Sequence, residues 1–154
     1  GGASIGFLAG LDVDEAGAYW QGVGQALGEG TRLVFVAEDG GVVLGSVQLE
    51  LCQRRNGANR GEVQKLIVHS DARRRGVATA LMMALEGEAL ARERGVLFLD
   101  TEAGAPAEVL YRALGYTFIG GIPEYACTPG GRWTSNAIYY KTLFSRASVA
   151  GPGR

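Results

Sequence analysis

The run from Gly61 to Ala84 constrains this chain more than any other. It reads Gly61-Glu-Val-Gln-Lys-Leu-Ile-Val-His69, then Ser70-Asp-Ala-Arg-Arg-Arg-Gly-Val-Ala78, then Thr79-Ala-Leu-Met-Met-Ala84. The first part alternates, with Val63, Lys65 and Ile67 on one face and Glu62, Gln64, Leu66 and Val68 on the other, which predicts a strand. The last part repeats apolar residues at Val77, Leu81 and Leu85, with Ala78 and Met82 beside them, which predicts an amphipathic helix. Between them lie three arginines and Gly76. A strand, a basic glycine-containing loop and a helix must therefore follow one another without a break.

That order has a chemical meaning. A helix starting near Arg75 leaves its first backbone N–H groups unpaired, those of Val77, Ala78 and Thr79 among them. The unpaired donors, the positive end of the helix dipole and the guanidiniums of Arg73, Arg74 and Arg75 together make a phosphate site. Gly76, with no side chain, lets a phosphate approach the main chain. The bland alternative is an ordinary strand–loop–helix corner with solvated arginines.

Composition narrows the classes. A length of 154 residues suits one domain with a real core. A formal charge of −1 argues against a general nucleic-acid or membrane-surface binder. The positive charge is local instead, at Arg54, Arg55, Arg60 and Arg73 to Arg75. No apolar run is long enough to span a bilayer, and no signal peptide is visible. Cys52 and Cys127 lie in strand-like apolar stretches, so buried free thiols and a cytoplasmic chain are expected. His69 is the single histidine and neither cysteine has a metal-ligand neighbour pattern, so no metal is expected. The chain opens on Gly1-Gly2 without a methionine, and a trimmed N-terminus is the expectation.

Taken in order, residues 1–11 are glycine-rich and read as a loop. Asp12 or Asp14 can cap a helix running to about Leu27, weakened by Gly17, Gly22 and Gly24. Arg32 to Glu38 and Val42 to Gln53 read as a hairpin around Asp39-Gly40-Gly41. Asn56-Gly57 turns the chain into the central strand, and the phosphate helix is expected to end near Arg94, with Gly95 as its left-handed stop. Val96 to Asp100 is a short apolar strand straight after a helix, which implies a parallel β–α–β crossover. Pro106 opens a short helix to Leu114, closed by Gly115. Tyr116 to Cys127 and Ala137 to Leu143 are expected strands, and Ser145 to Arg154 a disordered tail. The sum is α/β: a mixed, mostly antiparallel sheet with helices on both faces, one domain over residues 1–144 and a tail over 145–154.

Three further residues carry chemistry. Asp100 closes an apolar strand, where a carboxylate is costly unless it is paired or useful. Glu62 opens the central strand, and if the two strands are neighbours both carboxylates line one cleft. Either can take a proton from an amine or from the water next to it. The alternative is a helix cap or a surface ion pair. Tyr111 lies on the short helix; a phenol of pKa about 10 can protonate a thiolate of pKa about 8.5–9. The alternative there is a core tyrosine of the Leu110-Tyr111-x-x-Leu114 stripe.

The spacing Arg73-x-x-Gly76-x-Ala78 resembles the acyl-CoA pyrophosphate signature of the GNAT acetyltransferases. From Gly1 to Leu143 the chain is similar to that family, and most closely to its tabtoxin-resistance acetyltransferases. The stretches that carry this likeness are Gly1 to Phe7, Gln48-Leu-Glu-Leu-Cys-Gln53, Asn56-Gly-Ala-Asn-Arg60, Glu62-Val-Gln-Lys-Leu66, Leu99-Asp-Thr-Glu-Ala-Gly104 and Ala137-Ile-Tyr-Tyr-Lys-Thr-Leu143. The resemblance implies an acetyl-CoA-dependent N-acetyltransferase acting on a small-molecule amine, with a toxin or antibiotic such as tabtoxinine-β-lactam as one acceptor. An amino acid, a polyamine or a protein amine, or a non-catalytic acyl-CoA-sensing module, stand as alternatives. It implies that the pantetheine of acetyl-CoA pairs with the main chain of Leu66, Ile67 and Val68, and that Arg73 to Ala78 hold the pyrophosphate. Asp100 and Glu62 match acids that activate the amine, and Tyr111 the tyrosine near the thioester sulfur. It also implies that the family's first strand and first helix lie upstream of the residue matching Gly1. A monomer or homodimer is expected, with no nucleic-acid or membrane partner.

Overall fold

The computed structural model describes residues 4–7, 11–12, 19–20, 31–73 and 76–147. Its strands are β1 (Ser4–Phe7), β2 (Leu11–Asp12), β3 (Tyr19–Trp20), β4 (Arg32–Asp39), β5 (Val42–Leu51), β6 (Arg60–Val68), β7 (Val96–Glu102), β8 (Thr117–Gly120), β9 (Ala126–Cys127), β10 (Trp133–Thr134) and β11 (Asn136–Thr142). The described helices are α1 (Val77–Ala91) and α2 (Ala107–Ala113). The main sheet runs β2-β1-β4-β5-β6-β7-β11-β8, with β3 also on β4. β6 and β7 pair in parallel, and their crossover is α1. The other neighbours in this sheet are antiparallel.

One face of the sheet is the core. Leu33, Phe35 and Ala37 of β4, Val47, Leu49 and Leu51 of β5, Leu97 and Leu99 of β7, and Ala137 and Tyr139 of β11 point into it. α1 lays Val77, Leu81, Met82, Leu85 and Ala89 against these strands. Val77, Leu81, Leu85 and Ala89 recur every four positions, with Met82 beside them, so one stripe is apolar. α2 packs on the same face through Tyr111, and Tyr116 after it donates 2.8 Å to Glu86 of α1. The opposite face carries Arg32, Glu50, Glu62 and Phe98 side by side in register.

The central strand departs from strict alternation. Gln64 faces Gln48, yet Ile67 faces Ser46, so β6 holds one residue more than β5 over that step. Lys65 takes up the excess in the left-handed region, at φ 53°, as a β-bulge requires. Glu62 and Gln64 therefore share a face as expected. Beyond the bulge the phase reverses: Leu66 and Val68 pack on the core with Val63, and Lys65 and Ile67 are exposed.

Other boundaries also differ. α1 stops at Ala91, not near Arg94, and Glu93 rather than Gly95 holds the left-handed position, at φ 60°. Arg94 N–H bonds the Ala89 carbonyl and Glu93 N–H that of Leu90, which satisfies the last turn without a glycine. β7 continues to Glu102, so Asp100 lies inside a strand and does not end it. The span from Tyr116 to Cys127 is a short β8, a turn, and half of a separate β9–β10 hairpin. Cys127 is exposed there, so only Cys52 is partly covered. Residues 1–11 were expected as loop, yet Ser4–Phe7 pair with the edge of β4, which offers a ready ladder to a glycine-rich segment. Tyr19–Trp20 also pair with β4, inside the helix expected from Asp12 to Leu27, whose glycines weaken it. The rest of that expected helix, together with Arg74, Arg75 and residues 148–154, lies outside the described residues. Arg146, within the expected tail, donates to Asn59 Oδ1 and to the Glu93 carbonyl.

Candidate active site

The site is built where β6 and β7 part. They pair only over Arg60–Glu62 and Val96–Phe98. Further along, β7 keeps pairing with β11 and β6 with β5, so the edges of β6 and β7 that face each other carry no ladder. Leu66, Ile67 and Val68 lie on that open edge. A parallel pair that separates in this way leaves main-chain donors and acceptors free to bond an extended amide-containing ligand, as an added strand would.

The open edge leads directly to the start of α1. Gly76 caps the helix at φ 75°, and a side chain built there would meet nothing within 4 Å. The glycine is thus required by the backbone conformation and leaves open space before the helix. The first helical bond is from Ala80 N–H to the Gly76 carbonyl, at 3.0 Å, and no side chain caps this end. Val77, Ala78 and Thr79 therefore point their amides into a cavity of about 240 Å³ lined also by Val68, Ala72, Arg73 and Leu110. This cradle fits a diphosphate: unpaired amides, a positive dipole end and one described arginine.

The two acids and the phenol expected from the sequence lie on opposite faces of the sheet. Glu62 and Asp100 are both on the face away from the helices, since Glu62 faces Phe98 and Asp100 follows two residues later. Asp100 is exposed and receives a 3.1 Å hydrogen bond from Asn136 Nδ2. Asn136 is itself buried, and its Oδ1 accepts from Ile122 N–H at 2.6 Å. That second bond fixes the amide so that its NH₂ faces Asp100. Tyr111 comes from the core side: its ring is 5 % exposed and stands 6.1 Å from that of Tyr139. Burial pushes its phenol up to about 12, and the Asp100 charge adds to this.

A family model described as the acetyltransferase (GNAT) domain matches residues 30–118, more than half of the chain. This chain belongs to the GNAT acetyltransferases. Solved structures agree on the fold. A putative acetyltransferase from Salmonella typhimurium, yncA with its cofactor acetyl-CoA, is 24 % identical, with a TM-score of 0.70 over 82 % of this chain and 71 % of that one. A ribosomal-protein-alanine N-acetyltransferase from Brucella melitensis is 29 % identical, with a TM-score of 0.65 over 73 % and 69 %. An aminoglycoside 6'-N-acetyltransferase complexed with coenzyme A is 20 % identical, with a TM-score of 0.64 over 80 % and 79 %.

For a GNAT acetyltransferase the raised phenol is informative. At neutral pH Tyr111 stays protonated, and among the described residues its hydroxyl has no hydrogen-bond partner. An ordinary thiol has a pKa of about 8.5, so proton transfer from such a phenol to a thiolate is uphill, while a hydrogen bond from it is not.

Sequence reasoning missed two supports. Asn136 falls just outside the strand expected from Ala137 to Leu143, and only the strand pairing brings it to Asp100. Glu108 drew no attention in the sequence but is 8 % exposed. It accepts from the Tyr139 hydroxyl, and from Gly104 N–H at 2.5 Å. The Tyr139 bond first, and the Gly104 bond second, hold its carboxyl below the usual range. It fastens α2, and so Tyr111, to the strand after Asp100. The hint available in sequence was its place in the first turn after Pro106.

Among the described residues no three His, Cys, Asp or Glu side chains gather as a metal site, and no helix is long and apolar enough to cross a membrane.

Proposed function

We propose that this acetyltransferase moves the acetyl group of acetyl-CoA directly to a primary amine of a small molecule. The observation that carries the reading is the gap between β6 and β7, which opens toward the uncapped start of α1, with the acids Asp100 and Glu62 on the face away from the helices. The pyrophosphate rests on the amides of Val77, Ala78 and Thr79 and on the loop from Arg73 through Arg74, Arg75 and Gly76. The pantetheine lies along Leu66, Ile67 and Val68. Binding energy taken far from the thioester places the carbonyl in the gap. Asp100, directly or through water, takes a proton from the incoming ammonium; Glu62 is the second candidate. The free amine forms the N–C bond and the C–S bond breaks; the proton that the nitrogen then sheds passes through water to solvent or to the sulfur, and the Tyr111 hydroxyl stabilises the departing thiolate with a hydrogen bond.

The likeness of Gln48–Gln53, Asn56–Arg60 and Leu99–Gly104 to the tabtoxin-resistance acetyltransferases supports a toxin or antibiotic amine as acceptor. Two free thiols suit a reducing, cytoplasmic setting. A single catalytic domain over residues 1–144, active as monomer or homodimer, completes the reading. A panel of amines with thiol release as readout tests it. Release that depends on one amine class supports the proposal. Tight acetyl-CoA binding with no release for any amine favours a sensing module and sinks it.

A further inference from the structure

The arginines before the central strand have no part in that mechanism, and they share a cavity with Glu62. About 390 Å³ opens on the face away from the helices, lined by Glu50, Arg54, Arg60, Glu62 and Phe98 among others. Its volume suits a small ligand. Its charges are unevenly committed. Glu50 is taken: Arg32 donates at 2.5 Å and Gln64 at 3.3 Å. Glu62, Arg54 and Arg60 have no ion pair or side-chain hydrogen bond among the described residues.

Arg60 is exposed, and its guanidinium reaches back over Gly57, where an added Cβ would be 2.8 Å from Cζ and 2.9 Å from Nη1. Cys52 Sγ, nearer still at 2.5 Å, is the contact that keeps this position a glycine. A guanidinium offers five donors in a planar fork that matches a carboxylate. Here the fork is open to solvent and, among the described residues, its donors are unused.

The phosphates of acetyl-CoA are not its ligand. β6 runs from Arg60 to Val68, eight steps of ~3.3 Å, so the phosphate cradle lies ~26 Å away along the strand. Glu62 is two residues from Arg60, ~7 Å along the same strand. One molecule reaching from the gap into this cavity thus meets a carboxylate first and guanidiniums next. We infer that the acceptor is a small zwitterion: its ammonium is drawn in by Glu62, and a carboxylate elsewhere in the same molecule is bound by Arg60 with help from Arg54. This rests on the reading above that the amine approaches Glu62 and Asp100.

The test uses matched acceptors. Glycine, β-alanine, 4-aminobutyrate and lysine are each assayed beside their own carboxamides, at fixed acetyl-CoA. For at least one pair, kcat/KM for the acid should exceed that for the carboxamide by about 10-fold or more, as for a charge-assisted pair. Arg60→Gln should bring that ratio to near one, and Arg60→Lys should restore part of it, since charge remains but the fork is lost. Unchanged acetyl-CoA affinity in both variants shows that the fold is intact. Acid and carboxamide used equally well, or a ratio unaltered by Arg60→Gln, overturns the inference. Turnover of polycationic amines such as spermidine or kanamycin with none of the acids overturns the inference and leaves acetyl transfer standing. No thiol release with any amine overturns both.

Discussion

The two ends of β6 present different chemistry. At the Val68 end it is main-chain amides, an open strand edge and a glycine in the left-handed region. At the Arg60 end it is the side chains of Glu62, Arg60 and Arg54, with Asp100 on the same face of the neighbouring β7. On the proposed function, the first end reads a ligand that is always the same, through groups that most substitutions leave in place. Side chains are exchangeable, so the second end can be retuned to another acceptor on one scaffold. In that reading the thioester sits where the two modes meet.

The largest test of this contrast is Asp100→Asn. It keeps size and the Asn136 contact but removes charge and basicity. Turnover should fall ~10²–10⁴-fold at neutral pH, the range of a lost general base. The loss should shrink at high pH, where an α-amine of pKa about 7.7–8.0 is already free. Acetyl-CoA affinity should hold. A pH–rate profile with one good amine checks this; a variant that tracks wild type throughout makes Asp100 structural. Glu62→Gln should show a smaller loss if it only attracts the ammonium.

Gly76→Val should do the converse. Its side chain would occupy the phosphate space, and its backbone would resist φ 75°, a strain of about 1–3 kcal/mol. Acetyl-CoA affinity should drop ~10-fold or more, equally for every acceptor, since positioning is lost before chemistry. Calorimetry reporting unchanged affinity would remove the loop from the site.

Tyr111→Phe acts on the meeting point and should cost less. The hydroxyl donates a hydrogen bond and does not hand over a proton outright, so kcat should fall ~10-fold with little change in acetyl-CoA binding. A variant as fast as wild type under conditions where chemistry limits turnover returns Tyr111 to the core.

Glu108→Gln sharpens the comparison from outside both ends, through stability. The Glu108 carboxyl titrates below its ordinary range in the folded chain, chiefly through Tyr139. The unfolded chain therefore takes up the proton first as pH falls. The stabilisation is complete above an unfolded pKa of about 4.3 and is lost as pH drops through the folded value. The Gln variant should melt lower at pH 7, by about 1–2 kcal/mol for weakened hydrogen bonds to a charged acceptor. The gap to wild type should close in acid. Melting curves that stay parallel down to pH 3 would mean that the carboxylate charge adds nothing.

Much of this was legible in the chain. The β4–β5 hairpin, the phosphate corner, the parallel crossover and the stop at Gly115 all follow from local patterns within a few residues, and local patterns act before tertiary contacts. What escaped depends on partners distant in sequence. The bulge at Lys65 exists only as a mismatch with Ser46 and Gln48. Glu93 ends α1 because the chain must return at once to β7, and no glycine was needed to mark the place. The support from Asn136 to Asp100 spans 36 positions. Arg60 was noted as local charge, but the cavity it shares with Glu62 required coordinates.

The bulge also makes β6 a strand with two phases joined at one residue. Before Lys65 the even-numbered side chains look away from the helices; after it they look toward them. Plain alternation carried through residue 65, with the bulge flattened, would therefore not be a local change. It would turn Leu66 and Val68 out to solvent and bring Ile67 and His69 inward. One surplus peptide sets which way everything downstream faces, much as a single inserted tooth sets the timing of a gear train.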